Sequence, residues 1–126
     1  AGLLRLRMIR PRPTQALIAA LANRKGVAVL DQNLSPGLGG ILFQEVAAAL
    51  TGSPHRVPTL RSYIGGLGGK EISDVEFDHL WRTWTEEPAE SLANAAEPEL
   101  LMTEREWSQI RNRLTLAGKS LQEVTP

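Results

Sequence analysis

The chain contains no cysteine, and this absence excludes two kinds of chemistry. Disulfides cannot form, which agrees with a reducing compartment. Iron–sulfur clusters are held by thiolates, so any cluster that works with this sequence must be bound outside it. Histidine is scarce as well, since His55 and His79 are the only two, and we expect no histidine-rich metal site.

Long apolar runs are also missing. No stretch approaches the ~20 apolar residues that a membrane-spanning helix needs. Arg5, Arg7 and Arg10 interrupt the apolar residues near the start, so we expect no signal peptide and a cytoplasmic location. With 126 residues, of which 42% are hydrophobic, the chain has the size of one domain with one core.

The formal net charge is zero, but the 14 basic and 14 acidic residues are unevenly distributed. Residues 1–30 carry only basic charges, whereas acidic residues dominate residues 71–106. Each half could attract a partner of opposite charge, or both could simply face solvent. A nucleic-acid partner is disfavoured because the basic segment lacks interleaved aromatic residues.

Apolar residues recur along the chain with the alternating period of strands and the wider period of helices. The continuous apolar run at residues 27–30 is typical of a strand that is covered on both faces, as in parallel sheets. In chain order the predicted elements are a strand at residues 4–8, a helix at 15–23, a strand at 27–30, a helix at 41–50, a strand at 57–64 and a helix from 74.

This alternation predicts an α/β fold of three layers, with a mainly parallel sheet and flanking helices. We assign it to residues 1–85. Residues 86–126 are predicted to form a linker, rich in Glu, Pro, Ala and Asn, and a C-terminal helical arm. Ser73 with Glu76, and Thr103 with Glu106, have the spacing of capping boxes at the start of two helices.

Two glycine loops are the first candidates for binding. The loop from Asp31 to Gly40 lies between a strand and a helix, a setting that can hold an anion. However, Leu42 replaces the third glycine of the dinucleotide fingerprint. The loop from Gly65 to Lys70 resembles a phosphate loop, but Ile64 stands at its first glycine and the magnesium-binding hydroxyl is missing. We therefore interpret both loops as tight turns and places of close chain approach.

Acid–base chemistry has little support in the sequence. His79 lies on a predicted helix beside acidic residues and is interpreted as a surface or interface histidine. No serine stands in a nucleophile-elbow setting. We predict no catalytic, cofactor-binding or metal-binding residue in this chain. The candidates for subunit contacts or tight loops are Asp31, Asn33, Ser35, Gly37, Gly39, Gly40, Gly65, Gly66, Gly68, Gly69 and Lys70.

Three ordered stretches, residues 8–13, 27–42 and 63–72, together resemble the α subunit of 2-oxoacid:ferredoxin oxidoreductases, especially the pyruvate enzymes. The first is an arginine–proline strand end, the second has the pattern V-A-V-x-D-x-N, and the third contains G-L-G-G-K-E-I. Gln32 departs from the family, which usually has arginine there. The resemblance covers about residues 4–84 and implies core domain II, with a fold like the C-terminal domain of transketolases.

The resemblance further implies an enzyme that oxidatively decarboxylates a 2-oxoacid, with pyruvate favoured, to an acyl-CoA. Thiamine diphosphate, magnesium and iron–sulfur clusters are then expected on other subunits or domains, and ferredoxin as the electron acceptor. This chain would be a structural and assembly domain, inactive in isolation. Two alternatives stay open at this stage: a stand-alone nucleotide- or CoA-binding module that uses the first loop, and a non-enzymatic interaction adaptor.

Overall fold

The structure is a computed structural model that describes residues 1–54, 57–87 and 97–118. Helices and strands alternate along these residues, as the periodicity predicted. None of the described helices is long and apolar enough to cross a membrane. In chain order the elements are α1 (Thr14–Leu21), β1 (Val27–Asp31), α2 (Ile41–Thr51), β2 (Leu60–Ile64), a short 3-10 helix (Leu67–Gly69), α3 (Asp74–Glu86), β3 (Glu99–Leu100) and α4 (Glu104–Leu116).

The three strands form one parallel sheet in the order β1-β2-β3. Val27 is in register with Leu60, and Asp31 with Ile64. Because the strands are parallel, their carboxyl ends lie at one edge, and both glycine loops start from this edge. The parallel sheet with flanking helices confirms the predicted fold class.

The main core lies between one face of the sheet and the pair α1 and α2. Leu17 and Leu21 are one helical turn apart on α1, and both are buried. They meet Val29 of β1 and Val46 and Ala49 of α2 in one cluster. Leu17 and Leu21 therefore form the buried side of α1.

Helix α3 covers the opposite face of the sheet. Leu30 pairs with Tyr63, so both side chains point away from the face that carries Val29. Tyr63 is completely buried, and its hydroxyl accepts a hydrogen bond from the indole N–H of Trp84 at 2.9 Å. Gly26 lies so close to the Trp84 ring that a Cβ there would meet it at 2.3 Å. The sheet is thus the middle of three layers.

The predicted strand at residues 4–8 is wrong. Residues 1–13 belong to no helix or strand in the described structure. Leu6 packs against the main core, while Leu4 and Met8 stay about half exposed. A strand needs a neighbouring strand for its backbone groups, and alternation alone does not supply one. The strand predicted from residue 57 likewise begins only at Leu60, after Pro58, which has no N–H to donate.

The part beyond α3 joins the same sheet. Glu99 and Leu100 form β3 beside β2, where the sequence predicted a linker, and Leu101 is buried. The predicted helix after Thr103 is confirmed as α4. Residues 88–96 and 119–126 lie outside the described residues, so the division of the chain at residue 85 stays a prediction.

Two leucines on helices provide a test of the main core. Leu17 is 2% exposed and Leu116 is 88% exposed. Leu17→Ala is expected to lower the free energy of unfolding by about 2–5 kcal/mol because it leaves a cavity. Leu116→Ala is expected to change it by less than about 0.5 kcal/mol. Urea denaturation of both variants checks the prediction, and equal losses would contradict the placement of the core.

Candidate functional site

The carboxylate of Asp31 occupies the N-terminus of α2. Asp31 is the last residue of β1 and only 3% exposed. Its Oδ1 accepts from the N–H of Leu42 at 2.8 Å, and its Oδ2 accepts from the N–H of Phe43 at 3.0 Å. These donors are among the four that every helix start leaves without an intrahelical partner. The negative charge also lies at the positive end of the helix dipole.

Asn33 and Gly40 complete this arrangement. The Asn33 side chain donates to Asp31 Oδ1 at 3.3 Å and accepts from the N–H of Ile41 at 3.2 Å. Gly40 allows the close approach, because a Cβ there would lie 2.1 Å from Asp31 Oδ2. The first three N–H groups of α2 are therefore all satisfied by the chain itself. A phosphate could bind here only by displacing a buried carboxylate, which argues against the nucleotide- or CoA-binding alternative.

The rest of the first loop is a tight turn. Ser35 and Gly39 form a bridge in which the Ser35 N–H donates to Gly39 O at 2.8 Å and the Gly39 N–H donates back at 3.0 Å. Gly37 and Gly39 have φ values of 76° and 75°, a region that favours glycine. Gln44 holds the turn by donating to Leu38 O at 2.7 Å. These contacts agree with the interpretation of the loop as a tight turn.

The second glycine loop is fixed to the first. The Gly65 N–H donates to Asp31 O at 2.9 Å, so the ends of β1 and β2 are joined. Gly66 has φ 70°, and a Cβ there would come within 2.9 Å of the Gln32 side chain. Gly68 and Gly69 also have positive φ, but they face open space. Their exposed backbone leaves room for another chain to approach closely.

Lys70 ends this loop between two helix starts. Its ammonium donates to Glu76 Oε1 and to Glu106 Oε2, both at 2.6 Å. These glutamates belong to the capping boxes of α3 and α4, in which Glu76 accepts from Ser73 and Glu106 accepts from Thr103. Lys70 therefore joins the second loop, α3 and α4. The spacing predicted both capping boxes, but not their shared cation.

The charges of this cluster support one another. The Lys70 ammonium, with the Thr103 N–H and hydroxyl, lowers the pKa of Glu106 to about 2. Burial opposes the ionised form of Glu76, yet the hydrogen bonds from Lys70 and Ser73 outweigh it and lower the pKa of Glu76. Burial likewise opposes the charge of Lys70, but its bonds to Glu106 and Glu76 raise the pKa of Lys70. All three groups are therefore charged at neutral pH.

Apolar side chains surround the two loops at this edge of the sheet. Leu34 and Leu38 are 45% and 66% exposed in the first loop, and Ile41, the first residue of α2, is 49% exposed. Leu67 of the second loop is 40% exposed. The cavity beside Gly65 and Lys70 measures only about 60 Å³, which is too small for a nucleotide. The edge is suited to contact with another protein surface.

A further polar cluster lies around β3. Arg61, which is buried, donates to Glu99 at 3.1 Å and stacks on the Tyr63 ring at 5.5 Å. His79 contacts the other oxygen of Glu99 at 2.7 Å and is itself exposed. The prediction of a surface histidine agrees with this position, and His55 lies outside the described residues. The sequence did not predict the role of Arg61 because Glu99 is 38 residues away.

The residues present do not fit the cofactors that the family resemblance implies. Iron–sulfur clusters need thiolates, and the chain has none. No group of three His, Asp or Glu side chains that could hold a metal ion occurs among the described residues. The start of α2, the helix that follows the first glycine loop, already holds the Asp31 carboxylate where a diphosphate would bind. The described side chains therefore do not form a site for these cofactors.

Two substitutions test how α2 begins. Asp31→Ala removes the acceptor for Leu42 and Phe43, and it is expected to lower the free energy of unfolding by about 1–3 kcal/mol. Gly40→Ala, which forces a Cβ onto Asp31, is expected to cost about 1–3 kcal/mol. Gly52→Ala is the matched control, because nothing lies within 4 Å of its Cβ position. Chemical denaturation measures all three, and a neutral Gly40→Ala would contradict the close approach.

The low pKa of Glu106 predicts an acid-sensitive contact. A carboxyl whose pKa is lower in the folded state stabilises the fold above its unfolded value, and this contribution is lost as pH falls. For Glu106 the loss extends from about pH 4.5 to about pH 2. Glu106→Gln is expected to lose less stability across this window than the unsubstituted chain. Glu104→Gln, at an exposed position, serves as the control, and denaturation at each pH gives the comparison.

Comparison with known proteins gives a matching family and several relatives of this chain. The family model for pyruvate:ferredoxin oxidoreductase core domain II matches residues 1–77. Ketoisovalerate oxidoreductase subunit VorA of Pyrococcus abyssi is 43% identical over 77 residues, 60% of this chain and 19% of that protein. Pyruvate synthase subunit PorA of Methanothermobacter thermautotrophicus is 36% identical over 91 residues, 72% of this chain and 22% of that protein.

A further relative extends past α3. Subunit VorA of ketoisovalerate oxidoreductase from Pyrococcus horikoshii is 34% identical over 110 residues, 87% of this chain and 26% of that protein. The chain thus spans about a fifth to a quarter of the length of these relatives. The family match includes both glycine loops and Lys70, so the resemblance seen in the sequence is confirmed. The chain belongs to the pyruvate:ferredoxin oxidoreductase core domain II family.

Proposed function

We propose that this chain is a structural and assembly domain of a thiamine diphosphate-dependent 2-oxoacid:ferredoxin oxidoreductase. The observation that carries the proposal is the Asp31 carboxylate at the start of α2. In α/β sheets, ligands usually bind at the carboxyl edge of the strands. Here the first three N–H groups of α2 are already bonded within the chain, and the edge exposes leucines around two glycine loops. Such a surface fits a protein partner better than a phosphate ligand.

The partner surface is built from the residues of both loops. Leu38 and Ile41 project from the first loop and the start of α2, and Leu67 projects from the second. Gly68 and Gly69, which have no neighbours at their Cβ positions, allow a second backbone to come close. We propose that the other subunits or domains of the oxidoreductase bind here. Apolar side chains around exposed backbone are typical of the centre of such interfaces.

The complete enzyme, in this proposal, converts a 2-oxoacid and coenzyme A to an acyl-CoA and CO2, and the electrons released reduce ferredoxin. Thiamine diphosphate, with magnesium, provides the carbanion stabilisation that decarboxylation requires. Iron–sulfur clusters on another part of the enzyme take the electrons to ferredoxin. The named relatives include enzymes for pyruvate and for ketoisovalerate, so the proposal extends to 2-oxoacids as a class. A cytoplasmic location fits a chain without cysteine.

The proposal is tested in the assembled enzyme. Leu38→Asp with Ile41→Asp places charges on the proposed contact surface and is expected to abolish co-purification with the other subunits. It is also expected to abolish oxidation of the 2-oxoacid, while circular dichroism stays unchanged because both side chains are exposed. Val75→Asp, 64% exposed on α3, is the matched control and should assemble normally. Full assembly and turnover of the double variant would refute the proposed contact.

A further inference from the structure

The outward face of α3 exposes two aromatic side chains. Phe77 and Trp81 are one helical turn apart, and they are 50% and 53% exposed. Asp74 and Asp78 lie on the same stripe, because residues three and four apart share a helix face. Neighbouring exposed apolar side chains form a patch, and apolar patches rimmed by polar residues mark interaction sites. This acidic aromatic face is not part of the loops at the carboxyl edge.

A groove of opposite charge lies on the N-terminal arm, residues 3–9. The arm crosses α1, and the two enclose a groove of about 340 Å³, wide enough for an aromatic side chain. Its walls are mainly apolar, and Arg5 and Arg7 lie among them. The groove is lined chiefly by Leu4, Leu6, Met8, Pro13, Ala16 and Leu17.

The charges on these two surfaces have no strong partners within the described residues. Arg5 and Arg7 form no ion pair there, whereas Arg10 and Arg12 both contact Glu45. On α3, Asp74 has no ion pair among the described residues. Asp78 reaches Arg82 only at 3.9 Å, with both side chains about 70% exposed, and such a pair contributes little.

One copy of the chain cannot bring the two surfaces together. The arm and α1 lie on the face of the sheet that carries Val29, whereas α3 lies on the face that carries Tyr63. The sheet therefore separates the groove from the acidic aromatic face. Because the net charge of the chain is zero, two copies can approach without long-range repulsion.

We propose that the acidic aromatic face of α3 docks into the arm groove of a second copy of this chain. Trp81 fills the groove, and Arg5 and Arg7 face Asp74 and Asp78 around it. An arginine over the Trp81 ring adds a cation–π contact. Two copies that exchange both contacts form a closed pair, and otherwise the contact repeats head to tail. The inference does not depend on the proposed enzymatic role, since it uses other surfaces.

Sedimentation velocity of the full chain tests the contact. The chain is expected to self-associate at low ionic strength and to dissociate as salt screens the charges. Trp81→Ala is expected to weaken association at least about tenfold, as for an aromatic anchor at an interface. Leu116→Ala, 88% exposed on α4, is the control and should leave association unchanged. A chain that stays monomeric at low salt and several hundred micromolar overturns the proposal.

Exchanging the charges of the two surfaces distinguishes the proposed contact from a general effect of net charge. One variant carries Arg5→Glu with Arg7→Glu, the other Asp74→Arg with Asp78→Arg, and each alone is expected to be monomeric. Mixing them restores association, because each face then meets a groove of opposite sign. Arg24→Glu with Lys25→Glu changes the net charge by the same amount as Arg5→Glu with Arg7→Glu, but outside the two surfaces, and should leave self-association intact. A mixture that stays monomeric, with both variants folded by circular dichroism, overturns the proposal.

Discussion

The carboxylate of Asp31 accepts hydrogen bonds from N–H groups at the start of α2, and it therefore occupies the position where a ligand would bind at the carboxyl edge of the sheet. A buried carboxylate needs donors, and the start of a helix needs acceptors, so each satisfies the other. The backbone oxygen of the same residue accepts from Gly65 and so fixes the second loop to the first. In many α/β proteins this position binds a phosphate group. Here the chain fills it with its own side chain.

Lys70 makes a second junction that depends on the first. Because Gly65 is fixed to Asp31, the loop that follows places Lys70 within ion-pair distance of the two capping glutamates, Glu76 and Glu106. One cation thereby connects the starts of α3 and α4 to the sheet. These contacts fix both loops to the sheet and to the helix starts, whereas the leucines of the loops and the backbone of Gly68 and Gly69 are exposed. This is the arrangement expected of a fixed contact surface, and it supports the proposed assembly role.

The sequence predicts those features that depend on residues close together in the chain. The helices from α1 to α3, the strand β1 and both capping boxes are local, and all are found. The strand at residues 4–8 was wrong because a strand requires a distant partner that alternation does not reveal. Strand β3 was missed for the related reason that two residues carry no periodic signal, and Glu99 is held by Arg61 from far along the chain.

The candidate site also contains some features that the sequence indicates and others that depend on distant residues. The departures from the two phosphate-binding motifs, at Leu42 and Ile64, led to the interpretation of the glycine loops as turns, and the Ser35–Gly39 bridge is a tight turn in the first of them. The capping of α2 by Asp31 spans 11 residues and was not predicted. An acidic residue at the end of a buried strand, before a helix whose N-cap is glycine, is the signal that could have revealed it. The shared contacts of Lys70 with Glu106, 36 residues apart, have no comparable signal.

Titration of the chain with ATP, NAD and coenzyme A, followed by the amide resonances of Leu42 and Phe43, tests the central claim most directly. If the Asp31 carboxylate occupies these N–H groups, millimolar ligand should give no saturable heat in calorimetry and no shift of either resonance. Saturable binding of any of these ligands that shifts both resonances would show that the start of α2 is open to phosphate. That result would contradict the capping role of Asp31 and, with it, the assignment of this edge to protein contacts.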